Sequence, residues 1–257
     1  MCDTCGCSIT SANEEQESNT VTVLKKLLSE NDQRAAHNRI HFDNYGVLCI
    51  NLMSSPGSGK TALLETTIEA LRDKVSIAVI EGDLETENDA ERIRAKGVPA
   101  IQIATGTACH LDAQMVHRAL HQIDLTGLDI LFIENVGNLV CPASFDLGQH
   151  CNVTLLSVTE GDDKPAKYPV MFRASDLVVL SKIDLLPVLD DFSPANVENN
   201  LKALAKNIPL IQLSAKKQQG FEDWLNWLHN EIQQNKNRVS TITVPAHSHS
   251  EIHRHAA

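Results

Sequence analysis

The segment Ser54-Ser55-Pro56-Gly57-Ser58-Gly59-Lys60-Thr61 constrains the fold more than any other part of this chain. It follows an apolar run, Val47 to Met53, that reads as a buried strand, and it enters a helical pattern from about Lys60 to Arg72. A glycine-rich turn between strand and helix presents backbone N–H groups at the helix N-terminus, where the dipole also favours negative charge. The pattern is that of a phosphate-binding loop, with Ser54 in place of its first glycine. Gly57, Ser58, Gly59 and Lys60 are expected to cradle phosphates, Lys60 to reach the β- and γ-phosphates, and the Thr61 hydroxyl to ligate Mg²⁺.

Such a loop requires a sheet around it, and the rest of the chain supplies one. Further strands are predicted at 76–80, 100–103, 130–134, 153–158, 177–180 and 210–213, with helices near 87–95, 112–122, 195–206 and 220–235. Val23, Leu24, Leu27 and Leu28 recur at helical spacing, with Thr20 or Thr22 as a cap. This alternation predicts an α/β fold: a mostly parallel sheet with helices on both faces. Aromatics are only 4% of the chain against 42% hydrophobic residues, so aliphatic side chains must fill the core. Three regions separate: a mobile arm at 1–19 with a cysteine cluster, a nucleotide-binding domain at 20–235, and a mobile histidine-containing tail at 236–257.

Charge and leader sequence narrow the partners. A formal net charge of -11 repels phosphate backbones, so nucleic acid is not an expected partner. No apolar run approaches the roughly 20 residues of a membrane helix, and the N-terminus lacks the basic and apolar regions of a signal peptide. A cytoplasmic location is the expectation. Seven cysteines, an odd number, then read as thiols or metal ligands rather than a disulfide framework.

Two carboxylates follow the phosphate loop at strand ends. Asp83 in Ile80-Glu81-Gly82-Asp83 is placed to hold Mg²⁺ or order the attacking water, or else to cap the helix near Glu87. Glu134 ends the next strand, and Glu134-Asn135-Val136-Gly137 has the place of a second Mg²⁺ acid followed by a switch glycine that donates its N–H to the γ-phosphate. Base choice is read downstream. Ser181-Lys182-Ile183-Asp184 resembles Asn-Lys-x-Asp with serine for asparagine; a carboxylate at Asp184 accepts both N1–H and the 2-amino group of guanine, a donor pair adenine lacks. Lys182 would lie along the base and the phosphate loop. Ser214-Ala215-Lys216 matches a second base loop, whose Ala215 N–H meets guanine O6. GTP is therefore the expected nucleotide.

Cysteine and histidine mark two further sites. Cys2, Cys5 and Cys7 form Cys-x-x-Cys-x-Cys, a compact three-thiolate set whose fourth ligand, the terminal amine or a backbone nitrogen, would favour square-planar Ni²⁺; the alternative is a cluster of unliganded thiols. Cys109-His110 lies after the strand at 100–103 and Cys141 on the loop leaving the strand at 130–134. If those strands are neighbours, the three side chains meet beside the nucleotide. Cys49 and Cys151 read as structural. The tail histidines His247, His249, His253 and His255 suit weak Ni²⁺ or Zn²⁺ buffering or a plain solvated tail. His37, His41, His117, His121 and His229 read as surface or partly buried helix residues.

Taken together, Cys2-Asp3-Thr4-Cys5-Gly6-Cys7, the phosphate loop, Glu81 to Thr86, Cys109-His110-Leu111-Asp112, Glu134 to Pro142 and Glu160-Gly161-Asp162-Asp163-Lys164-Pro165 resemble the family of hydrogenase nickel-incorporation GTPases, over residues 1–7 and about 20–235. The resemblance implies a P-loop GTPase of the SIMIBI type that pairs face to face as a GTP-dependent homodimer. It implies a tight nickel site at Cys2, Cys5 and Cys7, and a Ni²⁺ or Zn²⁺ site at Cys109, His110 and Cys141. Implied partners are the nickel metallochaperone HypA and the precursor of the hydrogenase large subunit. Two departures are Ser181 for asparagine and the missing histidine block after the cysteine cluster. Two other readings are a nickel store with a relic nucleotide site and a sibling GTPase serving another metalloenzyme. The intact Lys60, Thr61, Asp83, Glu134 and Asp184 set argues against the first, and the N-terminal cysteines against the second.

Overall fold

The computed structural model describes residues 11–83, 87–204 and 207–242. Helix α1 (Ser11–Tyr45) leads into β1 (Leu48–Ser54), α2 (Lys60–Leu71), β2 (Ile77–Asp83), α3 (Asn88–Arg94), β3 (Ala100–Ala104), α4 (Ala113–Leu120) and β4 (Ile130–Glu134). The chain continues through β5 (Cys151–Ser157), two short helices α5 (Lys164–Lys167) and α6 (Pro169–Arg173), β6 (Leu177–Ser181), α7 (Pro194–Lys202), β7 (Leu210–Gln212) and α8 (Phe221–Ile242). All seven strands pair in parallel, in the order β3-β2-β4-β1-β5-β6-β7. The expected α/β architecture is therefore present.

Strand periodicity places the helices. Side chains alternate across a strand, and a sheet covered on both faces must be apolar on both. In β1, Leu48, Ile50 and Leu52 pack with α2 and α8 residues such as Leu64, Ile68, Trp224 and Leu228, while Cys49 packs on the opposite face with Phe42 of α1 and Val116 of α4. Trp224 is fully buried, and its indole N–H donates to Thr67 Oγ1 at 2.9 Å. A third cluster around Met53, Phe172 and Leu180 seats α6 and α7. Cys49 and Cys151 are buried in the core, as expected of structural cysteines. His150 accepts the Cys49 N–H through Nδ1 at 2.9 Å and meets Asp43 of α1 at 3.1 Å, and burial lowers its pKa to about 4.

Several boundaries differ from the sequence expectation. The first helix starts at Ser11, so the boundary placed at residue 19 falls inside it, and α8 carries past 235 to Ile242. Strand β2 runs on to Asp83, which is its last residue rather than one beyond it. The strands that lead into the Cys109 and Cys141 segments are not neighbours, because β2 lies between β3 and β4. Cys2, Cys5, Cys7 and the tail histidines lie outside the described residues.

Candidate functional site

The phosphate loop joins the end of β1 to α2 at the middle of the sheet, where open α/β folds bind ligands. Gly57 and Gly59 have φ of 74° and 99°, a backbone region that side chains rarely enter, so both glycines are required by the turn itself. Ser54 substitutes for the usual first glycine without obstruction, because its hydroxyl turns inward. It donates to the Ser55 carbonyl at 2.6 Å and accepts from Lys60 Nζ at 2.9 Å. Glu160 braces the loop from outside: its carboxylate accepts the hydroxyls of Ser55 and Ser58, the latter at 2.6 Å, and the Ser157 N–H at 3.0 Å.

Behind the loop sits a carboxylate pair. Parallel pairing of β2 with β4 puts Glu81 directly opposite Glu134. Thr61 Oγ1 donates to Glu134 Oε1 at 3.0 Å. Asp89 of α3 completes a group whose oxygens lie within 4.8 Å of one another. Burial pushes the pKa of Glu81 up, and the neighbouring Glu134 carboxylate adds to this. Burial likewise raises Glu134, against the pull of Lys60. Two such carboxyls cannot both ionise in the absence of a cation. One oxygen of each, Oε2, is buried without a hydrogen-bond partner. An all-oxygen set with orphaned lone pairs beside a phosphate loop fits a hard divalent cation such as Mg²⁺. Asp83 lines the same cavity, but Glu81 and Asp89 are the acids gathered around Glu134. Glu81 is the acid that the strand-end pattern does not single out; its signal is a carboxylate directly following the apolar run Ile77 to Ile80.

The base loops are tied to the phosphate loop. Ser181 Oγ donates to the Ser58 carbonyl at 2.7 Å, so serine in the asparagine position still straps β6 to the loop. Lys182, at φ 60°, extends over the loop and donates to the Gly57 carbonyl at 2.6 Å. Asp184 lies half-buried in the first turn of the 3-10 segment Ile183–Val188. The second base loop is stitched to the first: Leu213 N donates to Leu180 O at 2.9 Å and Ile183 N to Leu213 O at 3.3 Å. Ser214 is buried, with its Oγ accepting the Lys217 N–H at 3.1 Å, and Ala215 and Lys216 follow it at the surface side.

The second cluster assembles by a route the sequence did not reveal. The loop from β3 to α4 crosses over the end of β2 to reach β4. It can do so because Gly82 has no side chain: a Cβ there would lie 2.8 Å from Leu111 Cγ and Cδ1. Leu111 N then donates to Asn135 Oδ1 at 3.2 Å, and Asn138 Nδ2 donates to the Cys109 carbonyl at 3.3 Å. Asp112 caps α4 by accepting the Met115 N–H at 2.7 Å. The result places Cys109 Sγ 3.0 Å from Cys141 Sγ and 3.6 Å from His110 Nδ1. His110 stacks on Phe145 with centroids 3.8 Å apart, and burial lowers its pKa, which keeps a ring nitrogen available. Sharing with Cys109 raises the Cys141 thiol. Two sulfurs and an imidazole suit Zn²⁺ or Ni²⁺.

The stretch from Glu134 to Cys141 touches both clusters. Gly137 abuts the phosphate loop so closely that a Cβ would lie 2.8 Å from Pro56 N and Cα, while Asn138 and Cys141 belong to the thiol cluster.

Fold and site together define a P-loop nucleotide-binding protein with an adjoining cysteine–histidine cluster. The model of the CobW/HypB/UreG nucleotide-binding domain matches residues 48–212. The hydrogenase maturation factor HypB of Azotobacter chroococcum mcd 1 is 51% identical over 217 residues, spanning 84% of this chain and 70% of that protein. HypB of Escherichia coli (strain K12) is 52% identical over 205 residues, spanning 80% and 70%. The crystal structure of HypB from Helicobacter pylori in complex with nickel superposes with a TM-score of 0.77 at 43% identity, covering 80% of this chain and 97% of that one. HypB from Archaeoglobus fulgidus gives 0.74 at 38%. The chain belongs to the HypB family of hydrogenase maturation factors. No helix among the described residues is long and apolar enough to cross a membrane.

Proposed function

We propose that this protein is a GTP hydrolase that couples nucleotide state to nickel delivery into the large subunit of nickel-iron hydrogenase. One observation carries the reading. The segment from Gly137 to Cys141 contacts the phosphate loop at one end and supplies a thiol to the metal cluster at the other. GTP binding would draw Gly137 toward the γ-phosphate and shift Cys141 relative to Cys109 and His110. Cargo affinity then follows nucleotide state.

In this reading Lys60 neutralises phosphate charge, Thr61 with Glu134, Glu81 and the cavity-lining Asp83 hold Mg²⁺, and Asp184 selects guanine. The cluster of Cys109, His110 and Cys141 takes Ni²⁺ or Zn²⁺. Cys2, Cys5 and Cys7 form the separate nickel site. The working unit is a GTP-dependent homodimer in the cytoplasm, which receives nickel with HypA and passes it to the hydrogenase precursor. The H. pylori relative crystallised with nickel supports the cargo assignment.

The test is a paired titration. Ni²⁺ affinity is measured with GDP and with a non-hydrolysable GTP analogue, in wild type and in Cys141→Ala. A typical coupling of about 1–3 kcal/mol changes affinity roughly 5- to 150-fold, and metal must change GTP affinity by the same factor. Equal affinities in both nucleotide states would overturn the coupling. Lys60→Ala is expected to abolish hydrolysis, and Asp184→Asn to abolish the preference for GTP over ATP.

A further inference from the structure

Four histidines that the site does not use converge on the opposite end of α4 from His110. His37 and His41 lie one turn apart on α1, and His117 and His121 one turn apart across the last turn of α4. The two helices pack side by side, held by Asn38, whose Nδ2 donates to the carbonyls of Ala113 and Leu147 at 2.9 and 3.0 Å. The rings of His37 and His41 meet edge-on with centroids 4.6 Å apart, and His117 lies 5.0 Å from His37 and 5.9 Å from His41. One ring nitrogen from each of these three lies within 4.8 Å of the others. His121 Nε2 is 3.3 Å from His117 Nε2.

We propose that His37, His41 and His117, with His121 as the adjacent fourth imidazole, bind a borderline divalent transition-metal ion of the Zn²⁺, Ni²⁺ or Cu²⁺ class, separately from the thiol cluster. The Asn38 amide fixes the geometry needed. Because its Nδ2 is committed to two carbonyls, its Oδ1 must accept, and His117 Nδ1 donates to it at 3.0 Å. That leaves the His117 Nε2 lone pair for a metal, the outer-shell arrangement usual for ligating histidines. The 3.3 Å between His117 and His121 nitrogens equals the ligand separation of a tetrahedral site with Zn–N bonds of about 2.0–2.1 Å. Burial lowers the pKa of His41 and of His117, which favours the neutral form that can ligate. The cluster sits at the C-terminal end of α4, whose carbonyls favour a cation. Arg34 opposes the ion from α1, and Asp124 shares the groove as a balancing carboxylate.

The experiment titrates Zn²⁺ into the reduced full-length protein and counts ions bound per chain, with histidine resonances followed by NMR. The wild type is expected to bind one ion more than His37→Ala/His41→Ala, with shifts at His41 and His117 that Cys141→Ala leaves in place. GTP turnover of the double variant is expected to match wild type. His117→Ala should lose the same ion; should it misfold through loss of the Asn38 contact, the double variant still decides. Equal stoichiometry in wild type and double variant, or histidine shifts that vanish with Cys141→Ala, would overturn the proposal.

Discussion

Replacing Gly82 with alanine tests how the thiol cluster is assembled. The added methyl would lie 2.8–2.9 Å from Cγ, Cδ1 and Cδ2 of Leu111, which is fully buried. Overpacking of this kind costs about 1–3 kcal/mol. In a chain this long, each kcal/mol moves the unfolding midpoint by roughly 2–4 °C, so a fall of roughly 2–12 °C is expected. Relief must come from the loop of 105–112 lifting off β2, which carries Cys109 and His110 away from Cys141. Zn²⁺ affinity at that cluster should fall at least about tenfold, since a shift of that size needs only about 1.4 kcal/mol. Calorimetry for the midpoint and a chelator competition for Zn²⁺ measure both. Leu111→Ala in the same background should recover part of the loss, so that the two substitutions are non-additive. A Gly82→Ala protein that melts and binds Zn²⁺ like wild type would refute the crossing-loop account.

Gly137→Ala would push its methyl against the Pro56 backbone at 2.8 Å; nucleotide affinity is expected to drop more than about tenfold, read by fluorescent GTP-analogue binding. Ser181→Ala removes the bond to the Ser58 carbonyl, worth about 0.5–1.5 kcal/mol, and should weaken GDP and GTP binding by a similar factor, up to about tenfold, while sparing Zn²⁺. The raised Glu81 and Glu134 hold protons that the unfolded chain releases above the ordinary carboxyl range. Their stabilising effect is full below about pH 4.3 and declines as pH rises toward their folded values. The metal-free midpoint should therefore fall from pH 5 to 8, and Glu81→Gln should flatten that slope; parallel slopes would contradict the raised carboxyl pair.

Features contiguous in the chain were legible without coordinates. Ser54 to Thr61 is a phosphate loop because glycines at 57 and 59 permit the turn and a strand and helix flank it. The apolar strands, the parallel sheet and the Cys109-His110 pair are likewise local signals, set by side-chain periodicity and spacing. Tertiary structure decided what faces what. The register of β2 against β4, not any local pattern, puts Glu81 opposite Glu134. Cys109 meets Cys141 although β2 separates the strands that lead into them, because Gly82 lets a loop cross above it. Two histidine pairs, each set one turn apart by its own helix spacing, become one cluster only when α1 lies against α4. Periodicity tells each segment which face to bury, but strand register and helix pairing follow from packing across the whole sheet, where residues distant in sequence compete for the same space.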